Sequence, residues 1–276
     1  MKIFITGGRG FIGLHVLNQA LNNGHDVIGL SYSNKKRPIE NSKRMVFVQG
    51  SLEDDLRFAL EGCDALIHLA AYGVDPKEDS WQESFRWNLN ATLNICKHAH
   101  EVGIKRLIII GSCFEYGKSA ERYEFIPTDA PLEPINAYGA SKAAATMAIT
   151  AYARENNLEV GVLRPFHVYG KGEGPNRFWP SLKKAALTGE DFPMTWGEQI
   201  RDFTPVESVA KIILDYATNQ KIQAGNPVVK NIGTEKPESL IDFARKNWEI
   251  FNAKGVIIPG EIPYRKNEIM RYVPQI

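Results

Sequence analysis

The chain has 276 residues, 43% hydrophobic and 24% charged, which suits one large globular domain or one with a small appended lobe. A net charge of +1 gives no electrostatic reason to expect a nucleic-acid or anionic-membrane partner. Cys63, Cys96 and Cys113 lack the paired spacing of a disulfide framework or zinc site, and no apolar run nears the roughly 20 residues that span a bilayer.

Ile3, Phe4 and Ile5 predict a buried parallel strand that breaks at Thr6-Gly7-Gly8, with glycines again at Gly10 and Gly13. That run is too short for a signal peptide, so the expected location is cytoplasmic. Ile12, Val16, Leu17, Ala20 and Leu21 then share one helical face. Further strands are predicted at Asp26–Ser31, Met45–Gln49, Ala65–Leu69, Arg106–Gly111 and Glu159–Arg164. Between them lie a polar loop over Ser31–Ser42, a short helix over Asp54–Glu61 and long helices over Trp81–Val102 and Ala137–Asn156. The first long helix carries a stripe of Phe85, Leu89, Thr92, Leu93 and Cys96. This alternation predicts an α/β fold, a doubly wound parallel Rossmann sheet of six strands.

From Gly170 the rhythm changes. Lys171–Arg177 is rich in glycine and proline. Helices are expected at Phe178–Thr188, Val206–Thr218 and Ser239–Asn252, with a strand at Val228–Gly233. The expected division is a dinucleotide-binding domain over 1–165 and a smaller, mainly substrate-binding lobe over 166–276, with segments free to interleave.

Two patterns carry chemistry. The strand–glycine turn–helix order at the N-terminus makes an anion site, because glycines let a pyrophosphate approach the backbone and the helix end offers N–H groups. Tyr138 and Lys142, four apart on a helix, share a face, where an ammonium pulls a phenol's pKa towards neutrality. Such a tyrosine can give or take a proton beside a carbonyl or alcohol carbon. Ser112 is the first hydroxyl after the fifth strand, at the sheet edge where ligands of open α/β folds bind.

Together these residues resemble the extended short-chain dehydrogenase/reductase superfamily, in its epimerase/dehydratase branch, over nearly the whole chain. Gly7, Gly10 and Gly13, with Phe11 and Ile12, match its glycine loop, and Ser112, Tyr138 and Lys142 its catalytic triad. His68-Leu69-Ala70-Ala71 matches the turn flanking the adenosine, Ser51-Leu52 the segment beside the adenine, and Asn88 the asparagine of the long helix. The run from Arg164 to Gly170, with Pro165 and His167, resembles the segment near the nicotinamide and the sugar. Arg201 and Arg265 match the arginines that meet the substrate diphosphate. The resemblance implies hydride transfer with a nicotinamide cofactor, with Tyr138 as acid/base, Lys142 lowering its pKa and holding the ribose, and Ser112 orienting the reacting oxygen. It also implies a nucleotide-diphosphate sugar as substrate, and a homodimer paired through the two long helices.

Three departures refine this. Ser31 stands where an NAD-selective fold usually has an acid, and Arg9, Lys35, Lys36 and Arg37 surround it with cations, which favours NADP(H). Cys113-Phe114 replaces the Asp-Glu pair of the dehydratases, which argues against water elimination and makes these two residues substrate neighbours. His167 replaces an asparagine that touches the sugar, and Phe178 is a candidate for stacking on the base. The sequence therefore points to a nucleotide-linked 4-keto-6-deoxyhexose reductase. A 4-epimerase retaining NAD and a non-catalytic NADP sensor stay open as alternatives.

Overall fold

Every apolar run named above becomes a strand of one sheet in a computed structural model of the chain, which describes residues 1–32, 42–74 and 80–276. The strands are β1 (Lys2–Thr6), β2 (Asp26–Ser31), β3 (Met45–Gln49), β4 (Ala65–His68), β5 (Arg106–Ile110) and β6 (Glu159–Pro165). A seventh, Val228–Ile232, extends the sheet beyond β6. The order runs Val228–Ile232, β6, β5, β4, β1, β2, β3, and every pairing is parallel. The chain reverses its winding between β1 and β4, where Thr6 stands opposite His68. Crevices of this kind, past the carboxyl ends of the strands, are where such sheets bind ligands.

The central strands show no polar alternation because helices cover both faces. Phe4, Leu66, Leu107 and Val162 point into one core, against the helices Ala91–Glu101 and Ala137–Glu155. Their neighbours Ile3, Ile67, Ile108 and Leu163 point into the other, against helix α1 (Phe11–Asn22) and the helix Val206–Thr218.

Two helices differ from expectation. The short one is confined to Arg57–Leu60, because Asp54 accepts the Ser51 N–H at 2.7 Å and Asp55 grips Arg57, local bonds that compete with helix. The long one is Trp81–Phe85, a π-turn over Arg86–Asn90, then Ala91–Glu101. The wider turn rotates the preceding segment, so Ser84 and Asn88 are buried where Phe85 and Leu89 were expected.

Beyond β6, Leu182, Ala185, Phe192, Met194 and Ala244 form a separate small core. It joins the helices Phe178–Thr188 and Leu240–Ile250 to a parallel pair, Phe192–Met194 with Ile257–Pro259. Among the described residues, no helix is long and apolar enough to cross a membrane, and no cluster of His, Cys, Asp and Glu is placed to hold a metal ion.

Candidate active site

The glycine loop closes directly after β1. Gly7 takes a left-handed φ of +67° and its carbonyl accepts the Gly10 N–H at 2.8 Å. A Cβ on Gly13 would lie 2.0 Å from that carbonyl oxygen, and one on Gly7 would lie 2.6 Å from the Ala70 nitrogen. The loop, the first turn of α1 and the turn after β4 can therefore be this close only with glycine at both places. Gly10 precedes α1 without a side-chain cap, and no acid stands in the helix's first turn, where Phe11 and Ile12 begin it. A dinucleotide pyrophosphate fits such a cradle.

Around it, the Arg9 guanidinium lies 4.1 Å over the Phe47 ring, on the β3 side of the loop. Ser31 ends β2 and is buried. Lys35, Lys36 and Arg37 lie outside the described residues. Ser51 and Leu52 follow β3, and Leu52 is buried at the edge of the core. Leu69, Ala70 and Ala71 follow β4, and the Ala70 N–H reaches Thr6 Oγ1 at 3.3 Å.

A directed chain of hydrogen bonds fixes the crevice. Thr92 Oγ1 gives its proton to the Asn88 carbonyl at 2.8 Å, so His68 Nε2, 3.0 Å away, must be the donor to Thr92. His68 Nδ1 is then the acceptor for Thr6 Oγ1 at 2.7 Å. Burial, aided by Lys142, pulls the imidazole down to about 3, consistent with this neutral tautomer. The Asn88 side chain acts as a structural support of the site. Its amide nitrogen donates to the Tyr72 carbonyl and to Ser141 Oγ, at 3.0 and 2.9 Å, and its oxygen accepts the Tyr72 N–H at 2.8 Å. Both amide protons are thus used in tying the loop after β4 to the helix Ala137–Glu155.

Tyr138 stands near enough to Ser112 for the serine side chain to favour the phenolate. Ser112 Oγ in turn accepts the Phe114 N–H at 3.2 Å. Lys142 Nζ donates to the Ile110 carbonyl at the end of β5. Burial pushes the phenol up to about 12, with Ser112 pulling the other way. Burial also pulls Lys142 down to about 8, opposed by Glu115. The expected drift of the phenol towards neutrality is thus outweighed, because enclosure penalises the charge on both groups. The helix approaches this closely because a Cβ on Gly139 would lie 2.5 Å from the Phe114 carbonyl.

On the open side, the Phe114 ring meets Tyr138 edge-on at 6.1 Å and Tyr272 at 5.9 Å. Cys113 is packed into the protein. It is 3% exposed among Tyr116, Ala120 and Phe166, and burial pushes its thiol up to about 12. His167 lies between Phe203 and Tyr272, its Nδ1 buried without a partner, and burial with Arg201 and Arg177 holds it neutral. Pro165 lies opposite Ile232 in the sheet. Arg201 is buried, bonded to Glu268 at 2.7 Å and the Ile269 carbonyl at 2.8 Å. Arg265 is exposed. Phe178 packs on Phe192 at 5.7 Å in the small core.

Against this geometry, a family model described as the NAD dependent epimerase/dehydratase family matches residues 3–233. The chain belongs to that family. It is an extended short-chain dehydrogenase/reductase enzyme, and its relatives act on nucleotide sugars. A UDP-glucose 4-epimerase of Lactobacillus helveticus is 24% identical over 96% of this chain and 84% of its own. A trifunctional UDP-glucose 4,6-dehydratase/UDP-4-keto-6-deoxy-D-glucose 3,5-epimerase/UDP-4-keto-L-rhamnose-reductase of Arabidopsis thaliana is 31% identical over 91% of this chain but only 39% of its own. The solved structure of MoeE5 with UDP-glucuronic acid and NAD superposes with a TM-score of 0.87 at 28% identity, covering 100% of this chain and 90% of that one.

Three residues of this family member escape sequence reasoning. Arg177 follows Gly174-Pro175-Asn176 in the sequence and acts electrostatically on both Tyr138 and His167. Tyr272 is buried, with its hydroxyl donating to the Gly117 carbonyl at 3.2 Å. Glu115 is fully buried beneath Ser112. An aromatic or a charge in a run without periodicity gives no sign of burial. Only the unusual Glu115, wedged between Phe114 and Tyr116, offered a signal.

Proposed function

We propose that this enzyme reduces a nucleotide-diphosphate-linked 4-keto-6-deoxy sugar to the 4-hydroxy sugar with NADPH, in the cytoplasm. The observation that carries the reading is the pair Cys113 and Phe114. Where a dehydratase needs carboxyl groups to remove water, this chain has an enclosed thiol and a phenyl ring, and the next acid, Glu115, is turned into the core.

Bound in the glycine cradle, a reduced nicotinamide supplies the hydride for the carbonyl carbon. Ser112 holds the carbonyl oxygen, its own acceptor side occupied by the Phe114 N–H and its proton available to the substrate. Tyr138 gives its proton to the same oxygen as the alcohol forms. A phenol pushed up to about 12 stays protonated at neutral pH, which suits an acid. Lys142 follows one helical turn later and holds the ribose side. Arg201 and Arg265 take the diphosphate, and neutral His167 offers a ring nitrogen to the sugar. Ser31 with Arg9, Lys35, Lys36 and Arg37 supports a 2′-phosphate, hence NADP(H).

A second reading, a 4-epimerase with retained NAD, is favoured by relatives such as the Lactobacillus helveticus enzyme. One experiment separates the two. CDP-, dTDP-, UDP- and GDP-linked 4-keto-6-deoxyhexoses are supplied in turn, and NADPH absorbance is followed against product. A reductase consumes one NADPH per product, whereas an epimerase forms product with no net consumption. A preference for NADH of about tenfold, or roughly 1.4 kcal/mol, would sink the NADP assignment.

A further inference from the structure

We propose that Glu115 is a positioning residue for this reaction: one buried carboxylate locks Ser112 to the helix that carries Tyr138 and Lys142. The inference rests on the roles just assigned to those three residues. Glu115 Oε1 accepts the Ser112 N–H at 2.8 Å. Its Oε2 accepts Thr146 Oγ1 and Arg164 Nε, each at 2.8 Å. Thr146 lies one turn beyond Lys142 on the same helix, and Arg164 lies on β6. A single side chain therefore spans the loop after β5, the catalytic helix and the neighbouring strand.

The backbone is shaped to admit it. A Cβ on Gly111 would lie 2.5 Å from Oε1. The turn Cys113–Glu115 closes as a reciprocal cap, with Ser112 Oγ accepting the Phe114 N–H while the carboxylate accepts the Ser112 N–H. That cap sets the direction of the Ser112 hydroxyl. Three donors converge on two oxygens, and an amide in this place would turn its NH₂ towards at least one of them. The charged or titratable groups facing the carboxylate are Arg164 from β6, Lys142 and Tyr138 from the helix, and Cys113 and Tyr116 from its own loop. The anion supports the charge on Lys142 and opposes ionisation of Tyr138. Burial raises the Glu115 carboxyl, and Arg164, the Ser112 N–H, Thr146 and Lys142 pull it back, so these partners are what keep the charge that acts on Lys142 and Tyr138.

The test uses the full chain, with Glu115→Gln, Thr146→Val and Tyr138→Phe beside the wild type. Turnover, KM, NADPH affinity and the pH dependence of kcat are measured. Both Glu115→Gln and Thr146→Val should lower kcat about tenfold or more, while KM and NADPH affinity stay near wild type. Only Glu115→Gln, which removes the charge, should move the ionisation of Tyr138 to lower pH. That ionisation is read from tyrosinate absorbance after subtraction of the Tyr138→Phe signal, independently of any substrate. Wild-type kcat in Thr146→Val, or a Tyr138 titration unchanged in folded Glu115→Gln, overturns the proposal. Should Glu115→Gln not fold, Thr146→Val decides alone. A wild type that reduces no ketosugar refutes the proposed function, and the tyrosinate titration then judges Glu115 separately.

Discussion

Replacing Gly13 by alanine should damage stability and cofactor binding together. The added Cβ would lie 2.0 Å from the Gly7 oxygen, 2.8 Å from the Gly7 carbonyl carbon and 2.9 Å from Gly8 Cα. Real Cβ atoms essentially never come closer than 3.0 Å to such neighbours, so the loop must move by about 1 Å. All three obstacles are backbone, so no side chain can swing aside. Overpacking of this kind costs about 1–3 kcal/mol, or a drop of roughly 2–10 °C in Tm for a chain of this size. The same displacement spoils the N–H groups aimed at the pyrophosphate. Losing one charge-assisted hydrogen bond, about 1.5–3 kcal/mol, weakens binding about 10- to 100-fold. Gly10→Ala is the control. Its Cβ meets only the Gly7 oxygen, at 3.1 Å, so it should melt near wild type and lose affinity only through contact with the ligand. Calorimetric melting and NADPH titration measure both effects. A Gly13→Ala protein that melts and binds like the wild type would falsify the reasoning.

Tyr138→Phe should cut turnover by about 10²–10⁴ while leaving NADPH affinity intact, and unchanged turnover would remove Tyr138 as the acid. Phe114→Ala deletes the wall between Tyr138 and Tyr272 and should cost about tenfold or more in kcat/KM for a 6-deoxy ketosugar, an effect that steady-state kinetics will detect or exclude. Lys142 is lowered from 10.5 to about 8, so above pH 8 the folded protein releases this proton before the unfolded chain does. Its penalty is full below pH 8 and relieved as pH rises towards 10.5; relative to Lys142→Met, the wild type should gain about 2 kcal/mol between pH 8 and 10 in urea unfolding. A constant difference across that window would contradict burial as the cause. Trp81 and Met147 are 60% and 66% exposed on the two long helices, so Trp81→Lys with Met147→Lys should turn the inferred homodimer into a monomer by sedimentation. A wild type that already sediments as a monomer would remove that inference.

The sheet was legible because its strands are short apolar runs punctuated by glycine and polar turns, and β2 and β3 fall on the residues expected. The seventh strand was less so: Val228–Ile232 reads as a strand, but nothing local says that it pairs with β6, some 60 residues earlier. The π-turn at Arg86–Asn90 leaves no periodic trace, so the stripe drawn through Phe85 and Leu89 was set on the wrong side. In the site, Ser112, Tyr138, Lys142 and the glycines follow from spacing and order. Lys142 illustrates the limit. Its spacing predicts help for the phenol, but how far enclosure opposes the charge depends on three-dimensional burial. The packing of Leu52, Cys113 and Phe178 is likewise a three-dimensional property, since proximity in sequence to a site does not decide which way a side chain turns. The role of Glu115 was hidden because its partners Thr146 and Arg164 lie 31 and 49 residues away.

The loop after Ser112 is held from far along the chain. The Tyr116 hydroxyl binds Asn231 at 2.7 Å, that asparagine's nitrogen holds the Ile126 carbonyl, and Ile126 bridges to Pro274. During synthesis, Ser112, Tyr138 and Lys142 emerge from the ribosome well before these restraints exist. A chain that has folded only its glycine cradle therefore still lacks this outer brace on the loop behind Ser112.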